Sequence, residues 1–144
     1  MPPQAVPQVE TPEQAVRAAN RRFYTAFEAL DLAQMDGVWL QEDWVQCVHP
    51  GWDLLLGWEE VRESWARIFS NTQRVKLALS SVWVHVEGRT AWVACTEHVT
   101  SSFATGFDHA LVQATNIFIL LDGVWRMVAH HASPLPASPK TTVQ

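Results

Sequence analysis

The sequence predicts an α+β fold: three helices interleaved with short strands in the first half, then an antiparallel sheet with the helices packed on one of its faces. Two observations carry this. Apolar residues in the first half recur at three- and four-residue spacing, the period of a helix with one buried stripe. The second half holds four long stretches rich in β-branched and aromatic residues, joined by short turns, the pattern of consecutive antiparallel strands. The 144 residues suit a single domain with one sizeable core.

The opening "MPPQAVPQVE" is Pro- and Gln-rich and reads as a flexible tail over residues 1–10. It has neither the basic start nor the apolar run of a signal peptide. The first helix follows in "TPEQAVRAANRRFYTAFEAL". Thr11 is a good N-cap, Pro12 suits the first helical position and Gln14 completes a capping box. Val16, Ala19, Phe23, Phe27 and Leu30 form its apolar stripe. Asp31 can cap a shorter helix carrying Leu32, Met35, Val38 and Trp39. "DWVQCVHP" reads as a short strand ended by Pro50 and Gly51, and "WDLLLG" as a second one. Gly57 then opens a third helix, "WEEVRESWARIF", whose acidic first turn suits the positive end of the helix dipole. Its stripe is Val61, Trp65, Ile68 and Phe69.

The four long strands are "RVKLALSSVWVHV", "TAWVACTEHVTSSF", "HALVQATNIFILL" and "VWRMVAHHAS". A tight "EGR" turn joins the first two, a Gly-containing loop the next, and "DG" the last, a strong hairpin signal. One domain is expected over residues 11–136, with a second flexible tail over 137–144.

Composition excludes several functions. A net charge of -5, with no clustering of Lys and Arg, argues against nucleic acid. No apolar stretch approaches membrane-spanning length, so the expectation is a cytoplasmic protein with no membrane partner. Cys47 and Cys95 lie inside apolar runs and read as small buried hydrophobes, and no Cys-x-x-Cys spacing suggests zinc or redox work. Eight tryptophans can fill a core, line a pocket or cover an interface, and their number does not choose among these.

The order of elements, with "ALDLAQM", "WVQCVHPG", "GWEEVRESW", "ATNIF" and "DGVWRMVAHHASP", resembles the NTF2-like superfamily, in particular its SnoaL-like branch. The last segment also resembles the end of the association domain of calmodulin-dependent kinase II. The resemblance covers about residues 12–136. It implies a curved sheet wrapped around the three helices as a cone with an internal pocket, and dimerisation through the outer face of the sheet. Members include ketosteroid isomerase, polyketide cyclases, ligand-binding proteins and oligomerising modules, so function has to be argued from the site.

His49 ends a strand before Pro50, where the backbone should be extended. By resemblance it stands where ketosteroid isomerase carries its general base. A histidine there can transfer protons near neutral pH, or it can simply be satisfied by a backbone carbonyl. Asn116 interrupts an apolar strand and needs partners if buried. By resemblance it falls near the isomerase's oxyanion donor; a tie to a neighbouring strand is the plainer reading. Phe23 aligns with the isomerase's oxyanion tyrosine but has no hydroxyl. Tyr24 is one position on and points about 100° away around the helix.

Glu97 shares a strand face with Ala91, Val93, Cys95 and Val99. If that face looks inward, Glu97 is a buried carboxyl with a raised pKa; otherwise it meets solvent or a partner. Strict alternation puts His131 on one face with Trp125, Met127 and Ala129, and His130 on the other with Arg126 and Val128. One of the two histidines should therefore reach the pocket. Trp39, Trp52, Trp65 and Phe69 can wall that pocket together with Phe23, or be plain core.

The expected ligand is an apolar or aromatic small molecule. If the protein is catalytic, isomerase- or lyase-type proton transfer without cofactor or metal is expected: isomerisation, dehydration or aldol-type cyclisation. His49 would be the base, Asn116 the oxyanion donor, and Glu97 or a terminal histidine the second acid–base group. The alternative is a ligand-binding or dimerisation module without turnover. Zinc would need His49, a terminal histidine and Glu97 to converge, and no short ligand spacing supports it.

Overall fold

The computed structural model describes residue 2 and residues 9–136. The tail expected over 137–144 and most of the one before residue 10 lie outside the described residues. Three helices, α1 (Pro12–Ala29), α2 (Leu32–Val38) and α3 (Trp58–Asn71), alternate with two short strands, β1 (Gln46–Val48) and β2 (Leu55–Leu56). Four long strands follow: β3 (Arg74–Glu87), β4 (Thr90–Phe103), β5 (Gly106–Leu121) and β6 (Val124–Pro134).

The capping box of α1 forms as the spacing requires. Gln14 N–H donates to Thr11 Oγ1 at 3.1 Å and Thr11 N–H to Gln14 Oε1 at 2.9 Å. It satisfies two backbone donors that the first turn would otherwise leave open. The β5–β6 hairpin turns on Asp122 and Gly123, both at positive φ (50° and 78°), the twist that a two-residue turn between right-twisted strands demands.

The strands form one curved sheet in the order β2-β1-β6-β5-β4-β3. β3 to β6 pair antiparallel, as short turns require, and β2 pairs antiparallel with β1. β1 lies parallel to β6, making the sheet mixed, because no hairpin ties these two strands together. Two irregularities bend it. The β3–β4 register shifts between Ser80 and Trp83, and the β5–β6 register between Ile117 and Phe118. An extra residue on one strand kinks it and increases its twist.

The helices pack in the concavity, α1 against β3, β4 and β6. The core there includes Val16, Phe23, Met35, Val61, Trp65, Val93, Phe118 and Met127, all fully buried. This is the α+β cone expected from the sequence. Among the described residues no helix is long and apolar enough to cross a membrane.

Candidate active site

A row of inward-facing side chains crosses three strands. Cys47 on β1 pairs with His130 on β6, and His130 pairs with Asn116 on β5. Glu97 lies on β4 on the same concave face, since Ala91, Val93, Cys95 and Glu97 are all buried. Glu97, Asn116 and His130 are each no more than 2% exposed.

The terminal histidines correct the alternation argument. Trp125 and Met127 face inward, and strict period two would put His131 with them. Val128 is the extra residue: Ile117 pairs with Ala129 but Phe118 with Met127. The bulge reverses parity beyond it, so His130 and Ala132 are buried while His131 is exposed.

Tyr24 is the second correction, a site residue that a single helix stripe leaves out. Phe23 and Tyr24 are both buried, although a helix sets neighbours about 100° apart. A concave sheet surrounds α1 over a wider arc than a flat one, so a single stripe underestimates what it buries. The series Val16, Asn20, Tyr24 at i, i+4 spacing was the available signal. All three are buried.

The Tyr24 hydroxyl donates to Glu97 Oε2 at 2.6 Å and lies 3.4 Å from Cys95 Sγ. Asn116 Nδ2 donates to the Tyr24 oxygen at 3.0 Å and to Asn20 Oδ1 at 2.9 Å. Its Oδ1 lies 2.6 Å from His130 Nδ1. With the Tyr24 proton given to Glu97, the amide must turn its nitrogen toward Tyr24 and its oxygen toward His130, so His130 carries its proton on Nδ1. Both amide hydrogens of Asn116 are engaged. Here Asn116 orients Tyr24 and His130 rather than offering a free donor.

His49 sits at the end of β1, 3% exposed. Its Nε2 lies 2.8 Å from Ser64 Oγ on α3, and Cys47 Sγ lies 3.7–3.9 Å from its ring nitrogens. Ser64 shares the α3 stripe with Val61 and Trp65, a polar residue in an apolar row that the sequence reading also missed. Trp65 binds the site together. Its ring centroid is 4.6 Å from His49, 6.0 Å from His130, 5.6 Å from Phe23 and 5.6 Å from Phe69. Trp52, 37% exposed, covers His49 from outside at 4.8 Å.

Trp39 stands apart. It is buried, pairs with Trp58 at 5.9 Å, and bridges to Met127. These contacts place it in the core beside α3, not with the two buried histidines.

Burial dominates the electrostatics, because charging a group out of water is costly. It pushes His49 down to about 4 and His130 down to about 3, the latter helped by His49 and His131. Both imidazoles are therefore neutral at physiological pH. Burial also pushes Glu97 up to about 7, against the hydrogen bond from Tyr24. Tyr24 itself is raised well above its ordinary value by burial and then by Glu97. Burial raises both thiols, Cys95 to about 11, so neither is a thiolate nucleophile at neutral pH.

A recess of about 290 Å³ opens beside this cluster, lined by Phe27, Trp52, Ile68, Val75 and Phe103 with Arg67 among them. Trp52 and Phe27 separate it from His49 and Trp65. A wider recess, about 540 Å³, lies by His98, His109 and Pro134 and shares no residue with the buried network. Among the described residues no group of three or more His, Cys, Asp or Glu is arranged to hold a metal ion.

Residues 16–138 match the model of the SnoaL-like domain. The chain is 29% identical over 119 residues to F-box protein SKIP8 of Arabidopsis thaliana, covering 83% of this chain and 49% of that protein. It thus spans about half the length of this curated relative. A crystal structure of a candidate dehydratase of the NTF2-like family from Streptomyces avermitilis is 36% identical, with a TM-score of 0.81 over 86% of this chain and 96% of that one. A candidate calcium/calmodulin-dependent protein kinase type II association domain from Thiobacillus denitrificans is 34% identical, with a TM-score of 0.75 over 90% of this chain and 99% of that one. With matched residues spanning both the cone and its buried polar row, this chain belongs to the SnoaL-like domain family of the NTF2-like superfamily.

Proposed function

We propose that the chain takes an uncharged, largely apolar carbonyl compound into the concave side of the cone and moves a proton on it, in an isomerisation, dehydration or aldol-type cyclisation. The observation that carries this reading is that the interior buries two groups of opposite kind, His49 at 3% and Glu97 at 2% exposure: a neutral imidazole and a carboxyl that titrates near 7. A base and an acid with separated pKa values are what proton transfer at neutral pH needs. The ligand is uncharged because the buried polar set holds no Lys or Arg to meet an anion. Of the three reactions, dehydration is the one that the Streptomyces relative's name favours.

For a β-hydroxycarbonyl substrate, His49 removes the proton next to the carbonyl. Protonated Glu97, oriented by Tyr24, gives a proton to the departing hydroxyl, and water and an enone leave. The ligand is admitted from the recess when Trp52 swings off His49.

A thermal-shift screen of aromatic β-hydroxyketones and enones tests this, followed by absorbance of the enone formed. His49→Ala is expected to abolish ligand stabilisation or to lower turnover by roughly 10²–10⁴-fold, the usual worth of a general base. Unchanged binding and turnover in that variant, or no compound that stabilises the protein, sinks the reading. Turnover is also expected to rise as pH passes about 4, where His49 loses its proton, and to fall above about 7, where Glu97 loses its own. A profile flat from pH 4 to 8 contradicts this assignment.

The second reading, a ligand-binding or dimerisation module without turnover, rests on the outer face of the sheet. His85, Trp92 and Ile117 form one row across β3, β4 and β5. Trp83, 55% exposed, stacks on His85 at 6.0 Å. A largely aromatic row of this kind suits a self-complementary contact between two copies. Light scattering at micromolar concentration is expected to show a dimer, and Trp83→Lys a monomer. A monomeric wild-type chain contradicts the contact.

A further inference from the structure

We infer that Ser64 is a positioning residue for His49, holding the imidazole proton on Nε2 and leaving Nδ1 as the basic atom. The inference rests on the proposed role of His49 as base, and its argument is one of counting protons. Ser64 has one hydroxyl proton and two close neighbours. Its Oγ is 2.6 Å from the carbonyl oxygen of Val61, one turn back in α3, and 2.8 Å from His49 Nε2. Two oxygens that close with no proton between them would set lone pairs face to face. The hydroxyl proton therefore lies on the line to Val61, the i−3 carbonyl a helical serine commonly reaches.

Ser64 can then only accept from His49, so Nε2 must carry the N–H. Burial keeps the ring neutral, which leaves the lone pair on Nδ1. Among the described residues the one hydrogen-bonding contact of Nδ1 is Cys47 Sγ at 3.9 Å. That thiol is held protonated by burial and is a weak donor, so it does not mask the lone pair. His130 provides an internal contrast. Asn116 Oδ1 at 2.6 Å puts its proton on Nδ1, so the two buried histidines carry opposite tautomers. A helix carbonyl thus sets the basic atom of a side chain on a different element, through one hydroxyl.

Long-range proton–nitrogen correlation of the histidine rings in the full ¹⁵N-labelled chain reads this at neutral pH. His49 is expected to show a pyrrole-type Nε2 and a pyridine-type Nδ1, and His130 the reverse. In Ser64→Ala the His49 pattern is expected to become a mixture of both tautomers. Ser64→Thr, which keeps a hydroxyl at that place, is expected to restore the single form. The inference is overturned if wild-type His49 carries its proton on Nδ1. It is also overturned if Ser64→Ala leaves Nε2–H as the only form. Should Ser64→Ala fail to fold, the wild type and Ser64→Thr still decide, because a proton on Nδ1 in either overturns the inference. No ligand is needed, so this result stands apart from the turnover test. A protein with the expected tautomers and no turnover upholds the proton placement and overturns the reaction alone.

Discussion

Trp65→Ala is expected to cost about 3–5 kcal/mol of folding stability, the range for removing a large aromatic side chain from a close-packed interior. Trp65 is fully buried and meets Phe23, Phe27, Phe69, His49 and His130 with ring centroids 4.6–6.0 Å away. These neighbours come from α1, α3, β6 and the residue that follows β1. No single element can move to close the gap without leaving another contact. Trp65→Phe is expected to cost much less. It keeps most of the ring packing, and the Nε1–H it removes is buried without a hydrogen-bond partner, a group that itself costs roughly 1–3 kcal/mol. Urea unfolding at fixed pH checks both variants. A loss under about 1 kcal/mol for Trp65→Ala would mean that the interior collapses onto the hole, and that the ring is not the centre of the packing. The same hole would let water reach His49, so its pKa should climb back toward the ordinary histidine value in Trp65→Ala.

Acid is expected to destabilise the fold from about pH 6.5 downward, through its two buried histidines, His49 and His130. In the unfolded chain each takes up a proton below about 6.5, but in the folded chain His49 waits until about 4 and His130 until about 3. The unfolded state therefore binds two more protons in that window, and stability falls as pH falls. Glu97 works in the opposite direction. Folded, it is protonated below about 7, and unfolded only below about 4.5, so between those values the folded state binds one proton more. The net difference from pH 6.5 to 4.5 is one proton, about 1.4 kcal/mol per pH unit, or roughly 3 kcal/mol across the window. Between about pH 4.5 and 4 Glu97 no longer opposes and the loss steepens, until His49 takes up its own proton in the folded state. Glu97→Gln removes the opposing proton and is expected to about double the slope between pH 6.5 and 4.5. Urea midpoints across this range measure both slopes. A wild-type profile that is flat or rises toward acid would contradict the buried, neutral state of the histidines.

The elements were readable from local pattern because their causes are local. The capping box at Thr11 and Gln14, the stripes of α1 and α3, and the turn at Asp122–Gly123 each depend on residues within a few positions of one another. The inward face of β4 was readable as a face but not as inward, since alternation separates two sides without naming the buried one. The network was less legible. The 100° step from Phe23 points Tyr24 away from any flat layer that packs on the Phe23 stripe. Here the layer curves round the helix. His130 and His131 were separated correctly into opposite faces, but assignment by parity failed at Val128. A bulge in β6 arises from its pairing with β5, and nothing in "VWRMVAHHAS" marks it.

By itself the sequence determined the α+β class, the three helices and the four long strands, and it marked His49, Glu97 and Asn116 as polar residues in apolar surroundings. Periodicity and turn chemistry act over a few residues and suffice for that. Only the tertiary structure decided that Tyr24 meets Glu97, that His130 and not His131 is inside, and that Ser64 meets His49. These contacts join residues 15 to 73 positions apart. They depend on sheet curvature, on one extra residue in β6, and on the way α1 and α3 fill the concavity. Those are properties of packing, and packing is settled only when all the elements are in place.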